Sequence, residues 1–233
     1  MHEHTVKAFD DDLNRLRGMI SEMGSRAAIA TELAIKALSD RDSAAAAVIV
    51  ADDKRIDDLE SEVEKLVVTT IALRAPMADD LRTMIAALKI AAVLERVGDY
   101  AKSIAKRVPL LVDDRMIDSI PLLMSMSEIV CEMLRDALAA YAGRDLALAE
   151  DVSRRDKKVD DFYNSIFRTS ITYMMENPRS ISESAHLLFI AKNLERAGDH
   201  ATNVAEMVYY AATGQHMAER EKGVDITSPR AGG

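Results

Sequence analysis

Acidic residues recur four positions apart at four places in this chain. The pairs are Asp53 with Asp57, Glu95 with Asp99, Asp156 with Asp160, and Glu195 with Asp199. On a helix, residues four apart lie on one face with Cβ atoms roughly 6 Å apart. Two pairs on neighbouring antiparallel helices would bring four carboxylates together, and hard cations such as iron(III), magnesium, manganese or calcium prefer oxygen ligands. The spacing therefore predicts metal binding, with these eight acids as the ligands.

A single pair of this kind carries little information. With 39 acidic residues in 233, chance alone gives roughly six pairs at this spacing, most of them on solvated faces. Clustered carboxylates also need compensation, because each raises the pKa of its neighbour unless a cation is present. Arg96 and Arg196, which follow Glu95 and Glu195, are the alternative to a metal in this role.

The acidic pairs become more informative because the sequence contains an internal repeat that includes them. Residues 94–101 match 194–201 at an offset of 100, and residues 53–58 match 156–161 at an offset of 103. Arg41-Asp42 likewise matches Arg144-Asp145 at 103. The difference between the offsets falls near Pro76 and Pro178, where a loop tolerates a change in length. Two motifs in the same order with nearly the same spacing indicate an internal duplication.

Apolar residues at helical spacing predict six long helices. Their expected spans are 6–38, 43–74, 77–108, 119–141, 145–175 and 178–213, with breaks at Ser39–Arg41, Pro76, Pro109, Gly143, Pro178 and Gly214. Six antiparallel helices in a duplicated chain give an all-α fold of two tandem three-helix bundles. We expect one bundle in residues 1–112, a second in 115–214, a connection around 113–115, and a polar tail in 215–233.

Three further features lie on the predicted helices. Gly98 and Gly198 stand mid-helix at equivalent positions, where glycine costs about 1 kcal/mol relative to alanine, so we expect a close approach of a crossing helix or of a bulky cluster. Glu183-x-x-His186 has the spacing of di-iron helix bundles, but such a site needs two copies and the equivalent residues are Thr83 and Ala86. The single Cys131 is expected to be a packed apolar residue.

Composition excludes several classes of function. A formal charge of -9 argues against nucleic acid as a partner, since phosphate contacts need a basic surface. The longest apolar run, residues 44–51, falls far short of the roughly 20 residues of a transmembrane helix. No basic-then-apolar leader opens the chain, so the expected location is the cytoplasm, without insertion into the membrane.

The repeated motif gives the chain a family resemblance that covers nearly all of it as far as Gly214. Leu94-Glu95-Arg96-x-Gly98-Asp99 and its copy at residues 194–199 resemble the motifs of the PhoU family, the regulatory proteins of phosphate-specific transport. Supporting segments are Asp80-Leu81-Arg82, Asp156-Lys157-Lys158-Val159-Asp160, Thr172-Tyr173-Met174-Met175-Glu176 and Tyr209-Tyr210.

The resemblance implies a function and a set of partners. Family members are bacterial cytoplasmic proteins that restrain high-affinity phosphate uptake and keep the phosphate-starvation response off when phosphate is plentiful. They link the ATPase of the phosphate ABC transporter to the phosphate-sensing histidine kinase, and they commonly form homodimers. Some hold multinuclear iron or other metal on the repeated acidic motifs, so iron, manganese or magnesium is the expected cofactor here, with no catalysis. The alternative reading is an oxygen-ligated helix-bundle metalloenzyme or a metal-storage protein.

Overall fold

A computed structural model of the chain describes residues 2–111 and 119–218, with side chains from Ala8 onward. Within these ranges the chain forms seven α-helices and two short 3-10 turns, and no strand is present. The helices are α1 (His2–Asp40), α2 (Ser43–Asp52), α3 (Lys54–Arg74), α4 (Asp79–Ala105), α5 (Ile120–Gly143), α6 (Leu146–Glu176) and α7 (Ile181–Thr213). The 3-10 turns are Val108–Leu110 and Pro178–Ser180. The all-helical prediction is confirmed.

The second predicted helix differs from the others because it is interrupted at Asp53. Residues 43–74 were expected to be continuous, but the chain divides there into α2 and α3. Asp53 keeps right-handed helical dihedral angles, so the interruption is a local tightening and not a change of direction. The N–H of Ile56 donates to the carbonyl of Asp53 at 2.9 Å, a 3-10 type of bond. The equivalent stretch of α6 is unbroken.

Equivalent helices of the two halves begin with the same cap residue. Asp42 caps α2 and Asp145 caps α6, each accepting hydrogen bonds from backbone N–H groups of the first turn. The residues just before them, Arg41 and Arg144, have positive φ values of 55° and 52°. The expected helix end at Tyr141, with Gly143 as the stop, is therefore wrong by two residues, since α5 includes Gly143 and the N–H of Arg144 closes the helix on the carbonyl of Ala140.

Both halves contribute to one hydrophobic core. In the first half α1 packs against α3 and α4, and in the second half α5, α6 and α7 pack against one another. The halves meet through α4 against α7 and α1 against α5. Fully buried side chains such as Ile20, Leu94, Leu134 and Leu194 belong to a continuous apolar cluster.

Residues at equivalent positions of the two halves touch each other across this junction. Oη of Tyr100 lies 3.3 Å from Nε2 of His200, an offset of 100 residues. Arg135 donates to Glu32 at 2.6 Å, an offset of 103. Such contacts are expected close to a two-fold axis, where a position meets its own counterpart. The duplication is therefore arranged about an approximate two-fold axis.

Some predicted segments fall on residues without a structural description. The connection at 113–115 and most of the tail, residues 219–233, lie outside the described residues, so the division at 112–115 stays a prediction. Residues 214–218 follow α7 closely, with Gly214 in the left-handed conformation (φ 72°) that favours glycine. None of the described helices combines the length and the apolarity needed to cross a membrane.

Candidate functional site

The acids predicted in the first half lie where α3 and α4 pack together. Asp53 stands at the start of α3 and Asp57 one turn later, while Glu95 and Asp99 stand one turn apart on α4. The burial is graded. Asp53 is 6% exposed, whereas Asp57 and Asp99 reach the surface.

Close packing of these two helices depends on glycine. A Cβ atom added at Gly98 would lie 2.8 Å from Cδ1 of Ile56 and 3.3 Å from Oδ1 of Asp53. One added at Gly198 would lie 3.1 Å from Cγ1 of Val159. The expected close approach is confirmed at both copies, and its cause is the crossing helix. Glycine thereby lets each buried aspartate lie directly against the neighbouring helix.

Burial and repulsion among the acids raise the pKa of Glu95 and of Asp57. Burial, followed by the negative charges of Asp99, Glu60 and Asp57, raises the pKa of Glu95 to about 7. Protonated Glu95 also donates a hydrogen bond to Asp99, which favours the same form. Burial first, and then Asp53, raises the pKa of Asp57. The four predicted acids thus lie within electrostatic range of one another.

A fifth acid, Glu60, joins this group and was missed by the four-residue spacing rule. Burial, then Glu64, then Asp57 raises the pKa of Glu60. Its signal in the sequence was its position three residues after Asp57 and seven after Asp53, which puts it on the same face of α3. We call Asp53, Asp57, Glu60, Glu95 and Asp99 the first acidic cluster.

The second half repeats the arrangement with Asp156, Asp160, Glu195 and Asp199, which we call the second acidic cluster. Asp156 is 3% exposed and is the counterpart of Asp53. Burial is the largest cause of the raised pKa of Glu195, with Asp199 and Asp160 adding to it. Tyr163 occupies the position equivalent to Glu60, so this cluster has one acid fewer.

Lysines, and not the expected arginines, contact the acids most closely. Nζ of Lys102 lies 2.6 Å from Oδ2 of Asp53 and 3.5 Å from Oδ1 of Asp99. Nζ of Lys192 lies 2.8 Å from Oε1 of Glu195 and 5.0 Å from the ring centre of Tyr163. These two lysines are not equivalent positions, since Thr202 corresponds to Lys102 and Ala92 to Lys192. A search for duplicated motifs could not find them for that reason.

Arg96 and Arg196 have a different environment from the one expected. Both side chains are exposed, and both lower the pKa of His200, although burial is the larger cause of that shift. Arg96 has only a minor lowering influence on the pKa of Glu60. The hypothesis that these arginines are the counter-ions of the acidic pairs is therefore wrong, and its physical error was to assume contact from adjacency in sequence.

The clusters suit a cation by chemistry but need rearrangement to hold one. As they stand, no three His, Cys, Asp or Glu side chains of the described residues converge in the manner of metal ligands. The donor set is nevertheless one of carboxylates that repel each other, and Oε2 of Glu195 is buried without a hydrogen-bond partner. A cation would relieve both costs. The residues therefore have the donor chemistry of a cation site without the convergent geometry of one.

The remaining candidates from the sequence do not form sites. Nδ1 of His186 is buried without a partner, but Thr83 and Ala86 occupy the equivalent positions on α4 and are both buried. Burial raises the pKa of Cys131 to about 12, and its thiol donates to the carbonyl of Ala28. A thiol in that state is a packing group and not a nucleophile.

The chain is similar in sequence to known proteins. A family described as "PhoU domain" matches residues 20–108 and again 123–208. A phosphate-specific transport system accessory protein PhoU homolog from Zymomonas mobilis is 54% identical over 223 residues, which cover 96% of this chain and 94% of that protein. A protein of the same name from Caulobacter vibrioides is 44% identical over 229 residues, covering 98% of this chain and all of that protein.

Solved structures agree with the fold. The crystal structure of PhoU from Pseudomonas aeruginosa is similar with a TM-score of 0.83 and 34% identity, over 89% of this chain and all of that one. The phosphate transport system regulatory protein PhoU from Streptococcus pneumoniae also gives a TM-score of 0.83, at 28% identity over 90% of this chain and 99% of that one.

Proposed function

This chain belongs to the PhoU domain family, and on that premise we propose that it is an accessory protein of phosphate-specific transport. The observation that carries the proposal is the match of the family at both halves together with 54% identity, over 96% of the chain, to a protein named for that role.

In its finer form, the proposal makes the chain a negative regulator. It restrains phosphate uptake and the phosphate-starvation response when phosphate is plentiful, as an adaptor between the ATPase of the phosphate ABC transporter and the phosphate-sensing histidine kinase. It acts in the cytoplasm as a homodimer and needs no catalysis. The long helices support a role in binding other proteins.

We propose that the two acidic clusters hold cations. In the first cluster, Asp53, Asp57, Glu95 and Asp99 would supply the oxygen ligands, and in the second Asp156, Asp160, Glu195 and Asp199. A bound iron, manganese or magnesium ion would neutralise the repelling carboxylates. The chain's own contribution is to hold a buried aspartate of one helix against a glycine of the next. Acids of two helices thereby lie within electrostatic range of one another.

A cation held in this way would stiffen each bundle. It would join α3 to α4 in the first half and α6 to α7 in the second, along the helices that also form the junction between the halves. The alternative of a metalloenzyme or a storage protein receives no support of its own, because the Glu183-x-x-His186 spacing is not repeated.

Deletion of the gene tests the regulatory role. We expect uptake of labelled phosphate and transcription of starvation genes to stay high at plentiful phosphate in the deletion strain, and the wild-type gene to restore repression. An unchanged response in a strain with no second copy of the gene would refute the role. Co-purification of the tagged chain with the ATPase and with the kinase, each expressed separately, tests the two adaptor contacts one at a time.

A further inference from the structure

A groove of about 420 Å³ runs along the first half between α1 and the α2–α3 pair. Its apolar walls are Ile29, Ala30, Leu33, Ile49 and Ile56. On α1 the lining residues Glu22, Arg26, Ile29 and Leu33 form one stripe over a span of 12 residues, roughly 16 Å long. Ile29 and Leu33 are 50% and 47% exposed, so the groove is open to solvent along its length.

The second half has a larger side chain at one position of the groove wall. Helices α1 and α5 correspond at an offset of 103 residues, and Ala30 corresponds to Met133. Met133 is fully buried, whereas Ala30 lines the groove with a methyl group only.

An ion pair joins the corresponding helices in the second half. Arg155 donates to Asp136 at 2.5 Å and joins α6 to α5. The equivalent residues in the first half are Asp52 and Leu33, which cannot make that bridge. The first half has a different bridge, with 3.4 Å between Nε of Arg55 on α3 and Oε1 of Glu22 on α1, so Leu33 and Asp52 stay exposed at the groove.

Charge indicates what kind of segment could lie there. Asp52 is exposed at the groove and forms no ion pair among the described contacts. Glu22 at the other end already has two basic partners, with 3.0 Å between its Oε1 and Nε of Arg26 and 3.4 Å between the same atom and Nε of Arg55. Asp53, whose own partner is Lys102, adds a further carboxylate at the inner wall. An occupant is favoured that is apolar along its length and carries a basic group near Asp52.

We infer that this groove docks an amphipathic helix of a partner protein, with apolar residues three to four apart and a lysine or arginine opposite Asp52. A helix suits the site because two helices border it, and a third can lay its apolar stripe between them. The exposed walls favour a macromolecule over an enclosed small molecule. The inference deepens the proposed adaptor function and rests on it only for the identity of the partner.

Placing residues of the second half in the groove tests the inference. The triple variant Ala30→Met, Leu33→Asp and Asp52→Arg gives the groove a larger side chain and the two residues of the Arg155–Asp136 ion pair. Leu73→Asp is the matched control, since it places an acid at a residue that is 76% exposed and does not line the groove. Circular dichroism and thermal unfolding check that each variant folds. Ile29→Lys at a half-exposed position is a second disruption, should the triple variant fail to fold.

The probe is a designed helical peptide of about 15 residues with leucine at positions i, i+4 and i+7 and flanking lysines. We expect it to bind the full-length wild-type chain by fluorescence anisotropy and to shift the methyl NMR signals of Ile29, Leu33, Ile49 and Ile56. The triple variant and Ile29→Lys should weaken binding about tenfold, Leu73→Asp by less than about twofold, and a peptide with glutamate in place of lysine should bind about fivefold more weakly.

Failure of the lysine peptide to bind would overturn the inference, as would equal binding by the triple variant or NMR shifts at other methyl groups. A change from dimer to monomer in the triple variant would also overturn it, because the groove would then serve self-association. Peptides tiled across the ATPase and the kinase form a separate arm. If the designed helix binds as expected and no tiled peptide does, the groove stands and the proposed partners are wrong.

Discussion

Nζ of Lys102 lies 2.6 Å from Oδ2 of Asp53, at a position where the second half has a threonine. The most buried acid of the first cluster therefore carries its own counter-ion, whereas Asp156 has no lysine at the equivalent position. A bound cation in the first half would have to compete with, or displace, this ammonium group. The two clusters are thus chemically different sites in spite of their common origin.

Lys102→Met should leave Asp53 buried beside apolar and acidic groups. We expect a loss of about 1–3 kcal/mol in the free energy of unfolding at neutral pH, because a buried charged acceptor loses its donor. Urea unfolding measures this, and added manganese should restore more stability to the variant than to the wild type. Lys54→Met is the control, since that side chain is 79% exposed, and a loss of the same size there would contradict the assignment.

The raised pKa of Glu95 makes stability depend on pH in a definite direction. The folded chain holds this proton up to a pKa of about 7, above the ordinary 4.5, so between these values it binds more protons than the unfolded chain. Its contribution to stability is present in full below about pH 4.5 and is lost as pH rises through about 7.

Glu95→Gln should remove this dependence. We expect the variant to be more stable than the wild type at pH 8 and similar to it at pH 4.5, as measured by urea midpoints in the presence of a chelator. Glu150→Gln, at an exposed position of α6, serves as the control. A variant that is equally destabilised at both pH values would show that Glu95 acts through packing and not through its charge.

Three glycines allow a graded test of helix packing. Gly98→Ala should destabilise the protein by about 1–3 kcal/mol, because the new Cβ lies 2.8 Å from Cδ1 of Ile56. Gly198→Ala should cost less, since its nearest contact is 3.1 Å, and Gly18→Ala should stabilise by up to about 1 kcal/mol, since nothing lies within 4 Å.

The pair Gly98→Ala with Ile56→Val provides the rescue. Valine lacks the Cδ1 atom that makes the closest contact, so the double variant should be more stable than Gly98→Ala alone. Thermal unfolding of the four variants gives the order directly. Failure of the rescue would indicate that the carboxylate of Asp53, and not the isoleucine, limits the approach.

Metal binding by the two clusters can be separated from the charge of the surface. Asp99→Asn with Asp199→Asn should lower manganese affinity about tenfold or more in calorimetric titrations, with an unchanged circular dichroism spectrum. Asp58→Asn with Asp161→Asn is the matched control, being exposed acids at equivalent positions beside the clusters. Less than about 0.2 metal equivalents per chain after loading with iron, manganese or magnesium would remove the proposal.

Much of the fold follows from the sequence because helices leave strong periodic signals. The helix ends near Arg74, Glu176 and Thr213 agree with the sequence to within a residue. The interruption at Asp53 could not be predicted from spacing, since the equivalent residue Asp156 packs against Gly198 in the same way and lies in an unbroken helix. Local spacing carries no information about such a difference.

The candidate site, like the fold, could be predicted only in part. The duplicated acids could be found because both copies retained them, and each half brings its own set together. Lys102, Lys192 and Glu60 each occur in one copy only, and their roles depend on which helix packs opposite. The groove could not be predicted from the sequence either, since alanine and methionine, the residues at positions 30 and 133, both suit a helix face that packs on a core.

The bridge between Glu32 and Arg135 has a consequence for the symmetry of the two halves. In an assembly of two identical subunits, a residue on the symmetry axis faces a copy of itself, so glutamate would meet glutamate and arginine would meet arginine. Two copies in one polypeptide are free of that restriction, and here the two sides of the axis carry opposite charges. The seam is held by attraction where two identical halves would repel each other.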